Sequence, residues 1–203
     1  MPTPAITVLL VPALILAAVF AIAIAEDLRE RRIPNTVVLA GFTAGVFWHA
    51  AGPAGAWAFD VQAPGAAGFV GALLAAFGML VAFFPFYRLG LMGAGDVKLL
   101  AAVATVFGAS SGHWSHLVGL ALVVLATGGL LSIARMLLSG SSRAVLANLH
   151  LIVAGRAARA AGVDGPEFDA RRDSADRMPY AIAIAAGTTL YIAGTWTGIL
   201  RTL

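Results

Sequence analysis

Apolar residues of this 203-residue chain gather into six long stretches, and the short segments between them carry most of the charge. The stretches cover residues 5–25, 36–51, 66–87, 97–110, 116–138 and 179–200. A helix needs about 20 apolar residues to cross a bilayer, and about 17 are tolerated. The pattern therefore predicts an all-α polytopic membrane protein with six transmembrane helices. The fourth stretch is short, so we expect it either to cross a thinned bilayer or to be buried among its neighbours.

The composition agrees with a membrane protein. Hydrophobic residues make up 60% of the chain and charged residues 11%, with a mean hydropathy of +0.91, whereas soluble domains are about 25% charged. We therefore predict one integral membrane domain over residues 1–203. Glycines at positions 68, 71, 78, 119, 128 and 129 suit close helix packing in lipid.

Several function classes are excluded or disfavoured by residue content. The absence of cysteine excludes disulfides, thiol catalysis and cysteine-based zinc sites. The four histidines lack a paired ligand spacing with a carboxylate, so the sequence predicts no metal and no cofactor. The net charge is +3, but the bases are scattered over short loops, which argues against a nucleic-acid partner.

Basic residues indicate the orientation in the membrane. They concentrate in the segments 26–35, 88–96 and 139–178 and at the adjoining helix ends, and of 13 only Arg201 falls elsewhere. Short loops rich in Lys and Arg remain in the cytoplasm. We therefore expect a protein of the inner (cytoplasmic) membrane with both termini on the non-cytoplasmic side and arginines contacting lipid headgroups. The four tryptophans fall near the opposite interface, as an aromatic belt would.

Two segments allow a second interpretation. The string AIAIAED at residues 21–27 resembles a signal-peptide cleavage site, but no positive charge precedes the apolar stretch, so we interpret it as an uncleaved first helix. Within 139–178, the stretch RAVLANLHLIVAGRAARAAG is too short to span and is flanked by arginines. It predicts an interfacial amphipathic helix, followed by a solvated loop of open role.

Two aspartates stand at the ends of apolar stretches, where an ionisable group is costly and is a functional candidate by default. Asp27 closes the first helix, whose negative end disfavours an ionised carboxylate. Asp96 follows Gly93 and Gly95 and starts the fourth helix; taken alone, it is explained equally well as an N-cap. Together the two carboxyls provide the acid and the base of an aspartic hydrolase. The helix ends predict Asp96 as the base and Asp27 as the acid.

Residues close to the two aspartates fit the predicted ends of the neighbouring helices. Pro34 cannot continue a helix, and Asn35 is expected to be the N-cap of a helix that begins at Thr36. Lys98 lies two residues after Asp96, so we expect it to reach toward lipid headgroups and not to pair with that carboxylate.

The strings DLRERRIPN, GAGDVKLLAA and RMPYAIAIAAG, in this order, resemble the type IV prepilin peptidases, which are membrane peptidases with a GxGD motif. The chain is most similar to the small members that process pilins of the tight-adherence (Flp) system. The resemblance implies that Asp27 and Asp96 are catalytic and that prepilins lose a short basic leader at the cytoplasmic face. Larger members carry a cysteine-containing insert and also methylate the new amino terminus. Without that insert, this chain is expected to cleave without N-methylation.

Glu26 and Glu30 flank Asp27, and this proximity suggests contact with a basic leader. An alternative function is a small transporter or channel subunit whose aspartates relay protons or cations. That alternative predicts acids near the bilayer midplane and two related halves, whereas the sequence places both acids at one interface and shows no repeat. A further alternative is a scaffold within a secretion machine.

Overall fold

A computed structural model of the protein describes residues 4–60, 62–110, 114–140 and 179–200, together with isolated positions between 147 and 162. Over these residues it consists of helices and two isolated β-bridges, without a strand. The helices are α1 (Pro4–Glu30), α2 (Asn35–Ala51), α3 (Gly68–Arg88), α4 (Ala94–Phe107), α5 (Ser115–Leu138) and α6 (Tyr180–Trp196). Each coincides with one predicted apolar stretch, so the all-α fold class is confirmed.

The chain divides into two compact units. One comprises residues 1–128 and 179–203, and the other comprises Gly129–Met178. The first unit contains both Asp27 and Asp96. The predicted interfacial helix falls in the second unit, where most residues of 139–178 lie outside the described part of the chain.

Among the described helices, three are long and apolar enough to cross a membrane: Val8–Glu30 of α1, all of α3 and all of α5. The helices α2, α4 and α6 have 17, 14 and 17 residues. The structure thus supports a membrane protein, and six transmembrane helices remain a prediction.

The short helix α4 forms the centre of the first unit. At 1.5 Å per residue its 14 residues extend about 21 Å. Every residue from Leu99 to Phe107 is buried, and α4 packs against α2 and α3. This burial explains how a helix too short for a bilayer can be almost uniformly apolar.

Glycines bring α6 close to α5. A Cβ atom added at Gly119 would lie 2.8 Å from the Tyr191 ring, and one at Gly128 would lie 2.6 Å from the Tyr180 hydroxyl. The packing role predicted for these two glycines is therefore confirmed, whereas a Cβ atom at Gly129 would meet none of the described residues within 4 Å. Gly68 likewise meets nothing within 4 Å.

The segment 52–67, between α2 and α3, packs on the helices through His49 and Trp57. His49 Nδ1 accepts the N–H of Ala67 (2.8 Å), and its Nε2 lies 3.1 Å from the Val106 carbonyl. Trp57 stacks on His116 with ring centroids 4.7 Å apart. Trp48 and Trp57 are buried in the protein, so the aromatic-belt prediction is wrong for them, while Trp114 and Trp196 are exposed.

Candidate active site

Asp27 lies in the last turn of α1 and is buried, with 7% of its surface exposed. Its Oδ2 accepts the backbone N–H of Ala181, 154 residues away in the first turn of α6, at 3.1 Å. The helix continues for one turn, to Glu30, and ends where Arg31 adopts a left-handed conformation (φ 54°). The Arg31 N–H bonds the Asp27 carbonyl at 3.1 Å, so this turn fixes the backbone of Asp27.

The bond to Ala181 changes the electrostatic setting expected for Asp27. The first N–H groups of a helix lack intrahelical partners and carry partial positive charge. The N-cap of α6 is Pro179, which provides no side-chain cap, and the Asp27 carboxyl serves that purpose from another helix. The negative end of α1 is thus opposed, at the Asp27 carboxyl, by the positive end of α6.

Asp96 is the third residue of α4, not its N-cap as expected. Gly93 is the N-cap, and its backbone N–H donates to Asp96 Oδ2 at 3.0 Å. A Cβ atom at position 93 would lie 2.9 Å from the same oxygen. A side chain at position 93 would therefore push the Asp96 carboxyl group away from its present place against the backbone.

The two carboxyl groups interact electrostatically. Burial, and to a smaller extent the charge of Asp27, raise the pKa of Asp96 from 3.8 to about 6, against the opposing effect of the Gly93 hydrogen bond. Asp96 therefore retains its proton more readily than an ordinary carboxyl. The expected assignment of Asp96 as the resting base is not supported, because loss of hydration outweighs the favourable position at a helix N-terminus.

The predicted motif residues meet around the first turn of α4. Lys98 Nζ donates to Asn35 Oδ1 at 3.1 Å, so its ammonium group has a protein partner. A Cβ atom at Gly95 would lie 3.2 Å from Ile33 Cβ, which shows how closely the turn before α2 approaches α4. Pro34, not Asn35, is the N-cap of α2, and its carbonyl accepts the N–H of Val37 at 3.2 Å.

Glu26 is partly buried and Glu30 is exposed, both within one turn of Asp27.

Tyr180, at the start of α6, was not among the site residues that the sequence predicted. The charge of Asp96 acts on this tyrosine, and its hydroxyl faces Gly128. The only signal in the sequence was its place in RMPYAIAIAAG, directly after a proline that starts a helix.

The side chains of the described residues offer no evident metal site. No group of three or more His, Asp or Glu residues suited to a metal ion occurs among them. The arrangement that does occur is a pair of carboxyl groups, each held by a backbone N–H, one buried and one partly buried. Such a pair can hold one proton between an acid and a base.

The model of the type IV leader peptidase family matches residues 14–137 of the chain. Neither a curated protein nor a solved structure gives a significant match. The matched residues contain both aspartates, the turn before α2 and the first turn of α4, while α6 lies beyond them. Since the match covers more than half of the chain, the protein belongs to the type IV leader peptidase family.

Proposed function

We propose that the protein is a membrane aspartic endopeptidase in which Asp27 and Asp96 form the catalytic pair. Its substrates are type IV prepilins of the Flp kind, which lose a short basic leader at the cytoplasmic membrane face. The observation that carries the proposal is the electrostatic coupling of the two carboxyls, which are 69 residues apart in sequence. Membership of a peptidase family supports the hydrolytic reaction.

The contrast between the two settings supports a division of labour. Asp27, bonded to the N-terminus of α6, acts as the base that takes a proton from water. The resulting hydroxide attacks the carbon of the scissile carbonyl. Asp96, whose pKa is about 6, gives its proton to the carbonyl oxygen. The tetrahedral intermediate, a gem-diol, then collapses as the leaving amine takes up the proton that Asp27 acquired, and one of its hydroxyls returns a proton to Asp96 as the carbonyl re-forms.

The residues around Asp27 favour a substrate whose leader peptide is basic. Glu26 and Glu30 place two further acids beside it, within reach of Lys or Arg side chains on a bound peptide.

The connection between α1 and α2 comprises only residues 31–34, so no second domain is inserted there. On this ground we propose cleavage without N-methylation, which the mass of the mature pilin measured with a methyl donor present tests directly.

The decisive experiment uses purified protein in proteoliposomes with a full-length Flp-type prepilin. Asp27→Asn and Asp96→Asn should each lower cleavage by about 100- to 10,000-fold, because each removes one proton-transfer step. Both substitutions keep an oxygen that can accept the N–H of Ala181 or Gly93, so folding should survive. Asp60→Asn, in the segment 52–67, is the control and should cleave normally. Retained cleavage in either variant at 27 or 96 would refute the pair.

The leader contact is tested in the same assay at low ionic strength. Glu26→Gln and Glu30→Gln should raise KM for a lysine-rich leader while leaving kcat unchanged, because the attraction between exposed charges is screened by salt. Unchanged KM values would remove this part of the proposal and leave the catalytic pair intact.

A further inference from the structure

Tyr180 is the first residue of α6 and is linked to both carboxyl groups of the candidate site. Its peptide bond to Ala181 carries the N–H that donates to Asp27 Oδ2 at 3.1 Å. The charge of Asp96 acts on its phenol group. The family match ends at residue 137, so this part of the site lies on a helix outside the matched residues.

The first turn of α6 needs contacts outside the helix to fix its position. Its N-cap, Pro179, provides no side-chain cap, and the first N–H groups of a helix lack intrahelical partners. Helix ends of this kind are the first parts to open. The side chains of residues 180–183 are Tyr, Ala, Ile and Ala. Tyr180 therefore has the largest side chain with which this turn can pack on its neighbours.

The ring of Tyr180 packs directly against Gly128 of α5. A Cβ atom added at Gly128 would lie 2.6 Å from the hydroxyl oxygen, 3.0 Å from Cζ and 3.2 Å from Cε2. The ring thus occupies the space that a side chain at position 128 would need. This contact restricts the ring, and with it the backbone of residue 180, on the side of α5.

A second tyrosine of α6 makes the same kind of contact away from the site. Tyr191 packs against Gly119 of α5, where an added Cβ atom would lie 2.8 Å from its Cε2. It follows Tyr180 by 11 residues, which is about 16 Å along the helix. Both contacts join the same two helices, so both should stabilise their packing. Of the two, the contact at Tyr180 is the one that adjoins a hydrogen-bond donor to a carboxyl of the site.

The orientation of the Asp27 carboxyl depends on where that donor lies. A base must present its oxygen to the attacking water at hydrogen-bond distance, and a misplacement of about 1 Å can lower a rate by about 100-fold. If the first turn of α6 moved, the carboxyl would either follow the Ala181 N–H or lose its bond. The position of Tyr180 therefore acts on Asp27 through the backbone of Ala181.

We propose that Tyr180 is a positioning residue for Asp27. Its ring, held against Gly128, fixes the first turn of α6, and the Ala181 N–H of that turn fixes the carboxyl group of the base. The ring supplies this effect, and the hydroxyl group does not take part in the reaction. The inference rests on the proposed function, because it assumes that Asp27 takes a proton from water.

Steady-state kinetics with a full-length prepilin in proteoliposomes test the positioning role. Tyr180→Leu removes the ring and should lower kcat by about 10- to 100-fold with KM nearly unchanged, because a displaced base slows the chemical step and not the binding of substrate. Tyr180→Phe retains the ring and should keep kcat within about threefold of the wild type. Tyr191→Leu is the matched control, which should lower thermal stability and leave kcat of the folded fraction unchanged.

Substitutions on α5 test the same contact from the other side. Gly128→Ala adds a methyl group 2.6 Å from the Tyr180 hydroxyl oxygen, so the ring must shift, and kcat should fall by about tenfold. Tyr180→Phe in the same chain removes the hydroxyl that the methyl group meets and should recover most of the loss. Gly119→Ala, which displaces Tyr191 instead, should keep kcat. Alanine favours a helix more than glycine does, so neither substitution should weaken α5 itself.

Hydrogen exchange gives a readout that does not depend on cleavage. The bond to Asp27 protects the Ala181 N–H in the wild type. This amide should exchange at least about tenfold faster in Tyr180→Leu and in Gly128→Ala, because the first turn opens more often. In the variants at positions 119 and 191 its exchange should stay at the wild-type rate.

Three results would overturn the positioning role. The first is normal kcat in both Tyr180→Leu and Gly128→Ala. The second is equal loss of kcat in the variants at 119 and 191, which would show that the contacts act only through helix packing. The third is a Tyr180→Phe variant as slow as Tyr180→Leu, which would mean that the hydroxyl itself acts. Each of these requires an active wild type, whereas a wild type that cleaves no prepilin refutes the proposed function and the positioning role with it.

Discussion

At the scale of single residues, the folded environment of the two aspartates reverses the acid and base roles that their positions at helix ends predicted. Asp27 ends one helix but bonds the start of another, and Asp96 stands at a helix N-terminus yet loses much of its hydration. Desolvation raises the pKa of Asp96 more than the Gly93 hydrogen bond lowers it. The folded site thus keeps a proton on Asp96 up to about pH 6, about two units higher than an ordinary carboxyl, and a general acid must hold its proton.

The raised pKa of Asp96 predicts how cleavage depends on pH. As pH rises through about 6, Asp96 loses its proton, so kcat/KM for a prepilin should decline on the alkaline side of that value. A profile measured between about pH 4 and pH 8 checks this. Activity that is constant or rising across pH 6 would contradict Asp96 as the acid.

Stability gives an independent check without a substrate. The folded pKa of Asp96 lies above the ordinary value of 3.8, so its contribution to stability is complete below that pH and is lost as pH rises through about 6. Asp96→Asn cannot ionise. It should therefore be more stable than the wild type near pH 8, by about 1–2 kcal/mol for a partly exposed group, and similar near pH 4.

At the scale of elements, the first turn of α4 and the turn before α2 form one assembly. Gly95 admits Ile33 at close range, and the bond from Lys98 to Asn35 joins the same two segments. Asp96 lies between Gly95 and Lys98 in sequence, so its position depends on both contacts. A change in this packing should therefore affect catalysis more than stability.

A double-mutant cycle between positions 95 and 33 tests that dependence. Gly95→Ala places a Cβ within about 3.2 Å of Ile33 Cβ and should lower kcat/KM by about tenfold, because small displacements of a catalytic group are costly. Ile33→Ala makes room for the new methyl group, so the double variant should recover most of the loss. Gly129→Ala is the control, since no residue that the structure describes lies within 4 Å of a Cβ atom added there. Purely additive effects would show that the two positions are not coupled.

Sequence patterns sufficed for the helices but not for their contacts. The lengths of the apolar stretches placed the six described helices because such a stretch is a local property, and the glycine-framed Asp96 was identifiable for the same reason. The bond from Ala181 to Asp27 joins residues 154 apart, and nothing local marks an alanine N–H as a partner. The contact of Tyr180 with Gly128 became recognisable only once α6 was seen beside α5.

At the scale of the first unit, catalytic and stabilising features occupy different ends. Asn35, at the start of α2, contacts the turn that carries Asp96, while His49 lies 14 residues later, about 21 Å along the same helix. There His49 connects three elements, since its ring bonds the backbone of Ala67 and of Val106. The family match extends across both ends, but the proposed chemistry uses only one.

This separation predicts a variant that loses stability and keeps its catalytic rate. His49→Ala removes the ring that satisfies a part-buried N–H and a buried carbonyl, so the free energy of unfolding should fall by about 2–4 kcal/mol. Because the aspartates lie at the other end, kcat of the folded fraction at low temperature should stay within about twofold of the wild type. Thermal unfolding and prepilin cleavage measured on the same proteoliposomes provide both values, with the exposed neighbour Phe47→Ala as control. A loss of kcat without a loss of stability would show instead that the His49 end communicates directly with the site of cleavage.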